Sequence, residues 1–346
     1  MIRLTRKTPM LTIQLQTIQA MEFAAPEVPR FAADVMPEQT DNFMSALGEL
    51  AEKTIGKLIP ELSEAMETCM AVILCVLLIS SLNAFSGKIQ RTTKLIGALQ
   101  IASILLMNTR SMIGLAADTI DRLSEYGKLL FPVMTAAVAA QGGVTTSAAL
   151  YAGTAAFDTI LCNMISNVQV PMVYMFLVLH IAHAATGETY LKKLLDAVKG
   201  LISWSLRIIL IVFTTYMSIT GVVSGTTDAA ALKATKVTIS TVVPIVGGIL
   251  SDASEAVLVG AGLMKNTAGI YGMIAILAMF LEPFLKIGIH YIALKLAAAI
   301  SAIFGSKECA ELIEHFGGAM GMLLGMTGAV CLLLMISVVC FLKGIG

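Results

Sequence analysis

The strongest constraint on this chain is a series of apolar stretches about as long as a lipid bilayer is thick. A helix needs about 20 apolar residues to cross a hydrocarbon layer of about 30 Å, and its backbone groups must bond within the helix because lipid offers no partners. Six stretches meet this requirement: 70–86, 95–117, 168–186, 201–224, 267–289 and 319–342. The composition agrees, since 57% of the 346 residues are hydrophobic and only 13% are charged. The sequence therefore predicts an all-α polytopic membrane protein.

Two further apolar regions, 129–166 and 238–264, do not form simple spans. The first is too long for one crossing and barely long enough for two. Both regions are interrupted by a proline and a glycine pair: Pro132, Gly142 and Gly143 in the first, and Pro244, Gly247 and Gly248 in the second. If both regions re-enter the membrane, there are six full spans; if the first crosses twice and the second once, there are nine. We expect about six to nine transmembrane helices.

The two interrupted regions suggest a path for a substrate. Glycine pairs and prolines leave backbone groups unsatisfied, so such segments must be buried in protein or line water, and in transporters they mark the binding site. Two other interpretations stay open, namely close helix packing at the glycines, or an ordinary span whose polar residues face neighbouring helices. The candidate conduit residues are Gly142, Gly143, Pro244, Gly247, Gly248, Asp252, Glu255, Lys265 and Asn266.

Ionisable residues at membrane depth are costly and are functional candidates. Glu282, Lys286 and His290 follow one another at intervals of four, so they share a helix face, which favours an ion-paired stripe over a proton relay. His180 and His183 lie at a span end without acidic or cysteine neighbours, and we expect both to be interfacial. The other candidates are Arg110, Asp158, Arg207, Asp252, Glu255 and Lys265.

Charge distribution predicts the orientation and two domains. Residues 31–68 contain eight acids and two bases with apolar residues at helical spacing, so we expect an extramembrane N-terminal segment, 1–68, with an acidic amphipathic helix. The remainder, 69–346, is the predicted helical transmembrane domain. The loop "GKIQRTTK" carries three bases and no acid, which places it in the cytoplasm and the acidic segment outside. Residues 187–200 are predicted to form a helix on the same cytoplasmic surface.

Nothing in the sequence predicts an enzyme. The chain lacks the phosphate-binding loop, the zinc-protease motif and the nucleophile elbow, and its six cysteines include no C-x-x-C pair. We expect no cofactor and no metal. The 23 basic and 23 acidic residues cancel, so no nucleic-acid partner is expected.

The stretch "LKATKVTISTVVPIVGGILSDASEAVLVGAGLMKNTAGIYG" resembles the most characteristic part of the stage III sporulation protein AE family of endospore-forming bacteria. "APEVPRFAADVMPEQTDNF", the mid-chain glycine region and "ALKLAAAI" also look like that family, so the resemblance covers most of the chain. One departure is the N-terminus, where Gln14, Gln16 and Gln19 interrupt the apolar core that a signal segment needs, while family members usually open with a clear one.

The resemblance implies a multi-pass component of the sporulation channel complex, placed in the mother-cell-derived membrane around the forespore. Implied partners are other stage III A-series sporulation proteins, including ring-forming subunits and a secretion-type ATPase, and the stage II sporulation protein Q complex. The acidic segment would then face the space between the two membranes and be available to a ring partner.

Three functional hypotheses follow from different classes. The chain is a channel subunit whose interrupted segments help form a conduit, or a self-contained transporter of a small solute, or a membrane scaffold that only anchors partners. The resemblance favours the first.

Overall fold

The computed structural model describes residues 26–37, 43–85, 90–140, 144–186, 188–219, 267–304 and 307–344, and these are helical with no strand among them. The helices are α1 (Arg30–Ala33), α2 (Phe43–Lys57), α3 (Ile59–Phe85), α4 (Gln90–Ala140), α5 (Val144–Met164), α6 (Val170–Thr186), α7 (Thr189–Ile219), α8 (Thr267–Ile303) and α9 (Lys307–Gly344). A π-helical turn, Ile165–Gln169, joins α5 to α6 so that they form one rod.

Five stretches of the described chain are long and apolar enough to cross a membrane: Ile59–Leu82, Leu95–Ala137, Tyr151–Thr186, Gly269–Ile303 and Lys307–Phe341. Each overlaps one of the six predicted spans. The sixth prediction, 201–224, overlaps α7, and its residues beyond Ile219 lie outside the described ranges. The predicted all-α polytopic class is confirmed.

Helix α9 is the centre of the bundle. It packs against α4, α5, α6, α7 and α8, and 94% of its most apolar 18 residues are buried. A helix that is hydrophobic on every side is stable when other helices surround it, and the leucines and methionines of α9 meet this condition. Helix α3, in contrast, leaves Leu74, Leu78 and Leu82 exposed, as lipid-facing side chains would be. The outer surface and the core of the bundle are therefore both apolar, as expected of a protein whose solvent is lipid.

Cross-helix contacts fix the directions of the helices. Helices α3 and α8 run parallel, because two contacts join them in the same order along both chains. Glu61 pairs with Lys286 in the earlier part of each helix, and Ser80 donates to the carbonyl of Phe304 at 2.8 Å near their ends. Helix α4 runs antiparallel to α3, since Thr68 accepts from Asn108 at 3.2 Å while Cys75, further along α3, contacts Gln100, which is earlier in α4. The end of the bundle where α3, α6 and α8 end and α4, α7 and α9 begin is called the basic end here. The described residues of the two lysine-bearing segments predicted to face the cytoplasm, 90–94 and 188–200, lie at the starts of α4 and α7, which are at this end.

The opposite end, called the distal end here, is where α4, α7 and α9 end and α5 and α8 begin. The ring of Phe131 lies 5.9 Å from that of Phe341, which joins the distal parts of α4 and α9. Phe157 of α5 packs edge-on against Phe213 of α7 at 5.5 Å. A Cβ on Gly272 of α8 would contact Leu130 at 3.1 Å, so α8 begins beside the same part of α4.

Helix α4 is much longer than one span. Its 51 residues extend about 77 Å at 1.5 Å per residue, well beyond a hydrocarbon layer of about 30 Å. Pro132 lies within α4 without ending it. The predicted region 129–166 therefore comprises the distal part of α4 and the antiparallel helix α5. Ser124 of α4 donates to Asp158 of α5 at 2.8 Å, which holds these helices in register.

Two predictions about amphipathic segments have different outcomes. The acidic segment does form an amphipathic helix, α2, whose Phe43 and Leu50 are buried against α8. The prediction of a separate surface helix over 187–200 is wrong, because α7 continues through Gly200 into the apolar residues that follow. Glycine costs only about 1 kcal/mol inside a helix, less than the packing of the buried face provides. The boundary between an extramembrane segment, 1–68, and a transmembrane domain, 69–346, stays a prediction.

Candidate functional site

The predicted conduit residues lie outside the described ranges. These are Gly142, Gly143, Pro244, Gly247, Gly248, Asp252, Glu255, Lys265 and Asn266. Their flanks are described: α4 ends at Ala140, α5 begins at Val144, α7 ends at Ile219 and α8 begins at Thr267. All four helix ends lie at the distal end of the bundle, so the flanks of both interrupted regions are on the same side.

The described chain holds a different concentration of polar groups, between α3, α4 and α8. Its centre is Lys286, whose Nζ lies 2.7 Å from Glu61 Oε1 and 3.3 Å from Glu282 Oε1. The three side chains are 20–24% exposed, so water screens these ion pairs only partly. The pairing of Glu282 with Lys286 confirms the ion-paired stripe expected from their spacing, and Glu61 is a partner that the sequence did not reveal.

A second polar group lies one helical turn along α8 from Lys286, towards the basic end. Asn108 Nδ2 donates to Thr68 Oγ1 at 3.2 Å and lies 3.3 Å from His290 Nδ1. When the amide also donates to Nδ1, that nitrogen is unprotonated and the proton of the neutral ring is on Nε2. We call Glu61, Thr68, Asn108, Glu282, Lys286 and His290 the α3–α4–α8 polar cluster.

A cavity of about 190 Å³ adjoins this cluster on the side away from His290. Its lining includes Asp118 and Arg122 of α4 and Glu282 and Lys286 of α8. Lys286 thus belongs both to the cavity wall and to the ion pairs. A charged lining of this kind favours water over lipid as the occupant, because charged groups in hydrocarbon are strongly destabilised.

Asp158, another predicted candidate, is buried between α4 and α5 and is 1% exposed. It accepts hydrogen bonds from Ser124 Oγ at 2.8 Å and from Cys162 Sγ at 3.6 Å. Its hydrogen bonds are satisfied by neighbours, so its place in the structure is explained by helix packing. Arg110 and Arg207 are both exposed on the outside of the bundle, on α4 and α7.

His180, for which an interfacial position is predicted, is buried among other helices of the bundle. Its ring is 3% exposed and stacks on that of His315 of α9, with 3.4 Å between ring centroids and 20° between ring planes. Phe176 packs at a steep angle against both rings, with its centroid 4.7 Å from that of His180 and 6.2 Å from that of His315. His183 is partly exposed, with Nδ1 2.9 Å from the carbonyl oxygen of Glu188. The long separation of His180 and His315 in sequence hides their contact from periodicity arguments.

Comparison with known proteins adds the identity of the family. A family model described as stage III sporulation protein AE matches residues 30–344. The chain belongs to this family. Stage III sporulation protein AE of Bacillus subtilis (strain 168) is 24% identical over 249 residues, which cover 71% of this chain and 62% of that protein. The match thus spans less than two thirds of the relative's length, and no solved structure matches the chain.

The family match confirms the resemblance that the stretch from Leu232 to Gly272 suggested. This protein is a member of a sporulation family, and the described part of its chain contains five apolar helical stretches suited to a multi-pass membrane protein.

Proposed function

We propose that this chain is an integral membrane component of the channel complex that links mother cell and forespore and is needed for late forespore development. The observation that carries this proposal is the combination of a family match over residues 30–344 with five apolar helices in the described chain. A sporulation protein that spans a membrane several times is suited to passing material between compartments. No motif for energy coupling occurs in the sequence, so the energy for transport comes from a partner.

The proposed location is the mother-cell-derived membrane around the forespore. The basic end faces the mother-cell cytoplasm in this arrangement, following the tendency of lysine- and arginine-rich loops to stay inside. The acidic helix α2 leads into the opposite end of α3, so it faces the space between the two membranes. This arrangement makes α2 available to ring-forming stage III A-series subunits and the stage II sporulation protein Q complex, and the basic end available to the secretion-type ATPase.

Deletion of the gene in its host tests the proposal. After induction of sporulation, heat-resistant spores are counted and a reporter of late forespore transcription is followed. We expect forespores that complete engulfment, fail to activate the reporter and yield few heat-resistant spores. Normal spore counts and a normal reporter signal would refute the proposal.

Two experiments distinguish a channel subunit from a membrane scaffold and from a self-contained transporter. Replacing Gly247 and Gly248 together by leucine should abolish sporulation while the protein still inserts in the membrane. A pure scaffold would tolerate this double substitution. Solute uptake by the purified protein alone in liposomes would instead indicate a self-contained transporter, which the proposal does not predict.

A further inference from the structure

Two buried polar atoms of the α3–α4–α8 polar cluster have no hydrogen-bond partner among the described residues. They are Asn108 Oδ1 and His290 Nε2. His290 is 3% exposed, and both residues lie in helices apolar enough to span a membrane. An unpartnered buried polar atom costs about 1–3 kcal/mol, so such atoms in native proteins are usually bonded to water or a ligand. Two residues in contact with each other thus leave one acceptor and one N–H donor without a partner in the described chain.

The adjacent cavity supplies room for water. Its volume of about 190 Å³ is far above the roughly 15 Å³ that a single water requires, and its charged lining offers many hydrogen-bond partners. Lys286 lines this cavity, and His290 follows it by four residues on α8, about 6 Å along the helix axis. Lys286 is thus the side chain that the cavity wall and the polar cluster share.

The charges favour cations over anions. The cavity lining holds two carboxylates, Asp118 and Glu282, and two bases, Arg122 and Lys286. Glu61 adds a third carboxylate next to the lining, 2.7 Å from Lys286 Nζ. Glu64 adds a further carboxylate whose field reaches His290. The carboxylates thus outnumber the bases around the cavity, and in a site of low dielectric constant an uneven charge distribution acts strongly on a mobile ion.

We propose that α3, α4 and α8 enclose a water-filled vestibule for small hydrophilic cations, which opens on the side where α3 begins, narrows at Lys286 and ends at Asn108 and His290. The vestibule deepens the proposed channel function and rests on it, since it places an aqueous part of the conduit in the described helices. The two open polar atoms explain why the vestibule continues past Lys286 to Asn108 and His290. The excess of carboxylates explains its preference for cations.

Cysteine labelling in isolated membranes tests the vestibule. In a chain with alanine at its six native cysteines, Leu115→Cys places a thiol on the cavity wall, and Leu99→Cys is the matched control on the exposed apolar side of α4. A thiol reacts as the thiolate, which forms in water and not in lipid. We expect Leu115→Cys to react with a cationic methanethiosulfonate at least about tenfold faster than with its anionic counterpart, and Leu99→Cys to react with neither.

Asn108→Cys then measures the depth of the vestibule with N-ethylmaleimide, a small neutral reagent. Labelling well above that of Leu99→Cys supports the presence of water on the His290 side of Lys286. Elution of the purified variant at the same volume as the parent in size-exclusion chromatography shows that the substitution leaves the fold intact. Absence of labelling at Asn108→Cys, with or without labelling at Leu115→Cys, overturns the vestibule. Equal rates of the cationic and anionic reagents at Leu115→Cys overturn its preference for cations. The labelling requires no sporulating cell, so its failure is distinct from a normal spore count after gene deletion.

Discussion

Lys286 of α8 lies 2.7 Å from Glu61 of α3 and holds together two helices that most of the chain separates. The same lysine pairs with Glu282 at 3.3 Å, so one cation balances two carboxylates at the level where the acidic N-terminal part of α3 meets the apolar bundle. Because the ion pair joins the start of α3 to the middle of α8, it fixes the parallel arrangement of these helices. The α3–α4–α8 polar cluster around it joins polar side chains from three helices that are far apart in the sequence.

Replacing Lys286 with methionine should destabilise the protein. The two carboxylates would then face each other without a cation, and breaking a largely buried ion pair costs roughly 2–4 kcal/mol. Thermal unfolding of the purified variant in detergent measures the loss. Lys295→Met is the matched control, since its pair with Glu314 has side chains 40% and 57% exposed and is worth at most about 1 kcal/mol. Equal losses in the two variants would show that the Lys286 pairs are not specially important.

The contact between Thr68 and Asn108 predicts a disulfide. With cysteine at both positions in a chain free of native cysteines, oxidation should join α3 to α4, because the present side chains lie within 3.2 Å of each other. The bond would shift the mobility of a chain cleaved between the two helices. Glu67→Cys with Asn108→Cys is the control, since Glu67 is exposed on another face of α3. Cross-linking of the control pair but not of the Thr68 pair would contradict the arrangement of α3 and α4.

Packing around the central helix predicts opposite effects for two glycines of α4. A Cβ added at Gly127 would lie 2.7 Å from a terminal methyl of Leu334, which is fully buried in α9, so Gly127→Ala should cost about 1–3 kcal/mol. Gly114 has no atom within 4 Å of its added Cβ, and Gly114→Ala should stabilise α4 by up to about 1 kcal/mol through helix propensity. Unfolding temperatures of the two variants give both signs, and a stabilised Gly127→Ala would contradict the packing of α4 on α9.

The sequence predicted which regions are apolar helices better than it predicted where each helix begins and ends. Apolar runs identified five of the stretches that suit a membrane, because the hydrophobic requirement of lipid acts on each run locally. Pro132 suggested an interruption, and the predicted surface helix over 187–200 ended at Gly200, but both helices continue through these residues. Burial of a helix against several neighbours outweighs the cost of one proline or glycine. The central position of α9 follows from contacts with five other helices, which no single run of residues encodes.

The candidate site was predicted only where its residues are close in sequence. The spacing of Glu282, Lys286 and His290 indicated a shared face, because neighbours four apart on a helix meet regardless of the rest of the fold. Glu61 and Asn108 complete the cluster from other helices, and their partnership depends on the register between helices. The one local signal was the position of Glu61 in the acidic segment that precedes the first predicted apolar run. The conduit residues of the two interrupted regions stay a prediction.

Compartment-specific complementation tests most directly whether the protein acts as a channel component in the mother-cell-derived membrane. In a host lacking the gene, one copy is expressed only in the mother cell and, in a second strain, only in the forespore, with equal protein levels checked by immunoblot. We expect the mother-cell copy to restore heat-resistant spores and the late forespore reporter, and the forespore copy to restore neither. Full restoration by the forespore copy, or no restoration by the mother-cell copy, would contradict a channel component in the mother-cell-derived membrane.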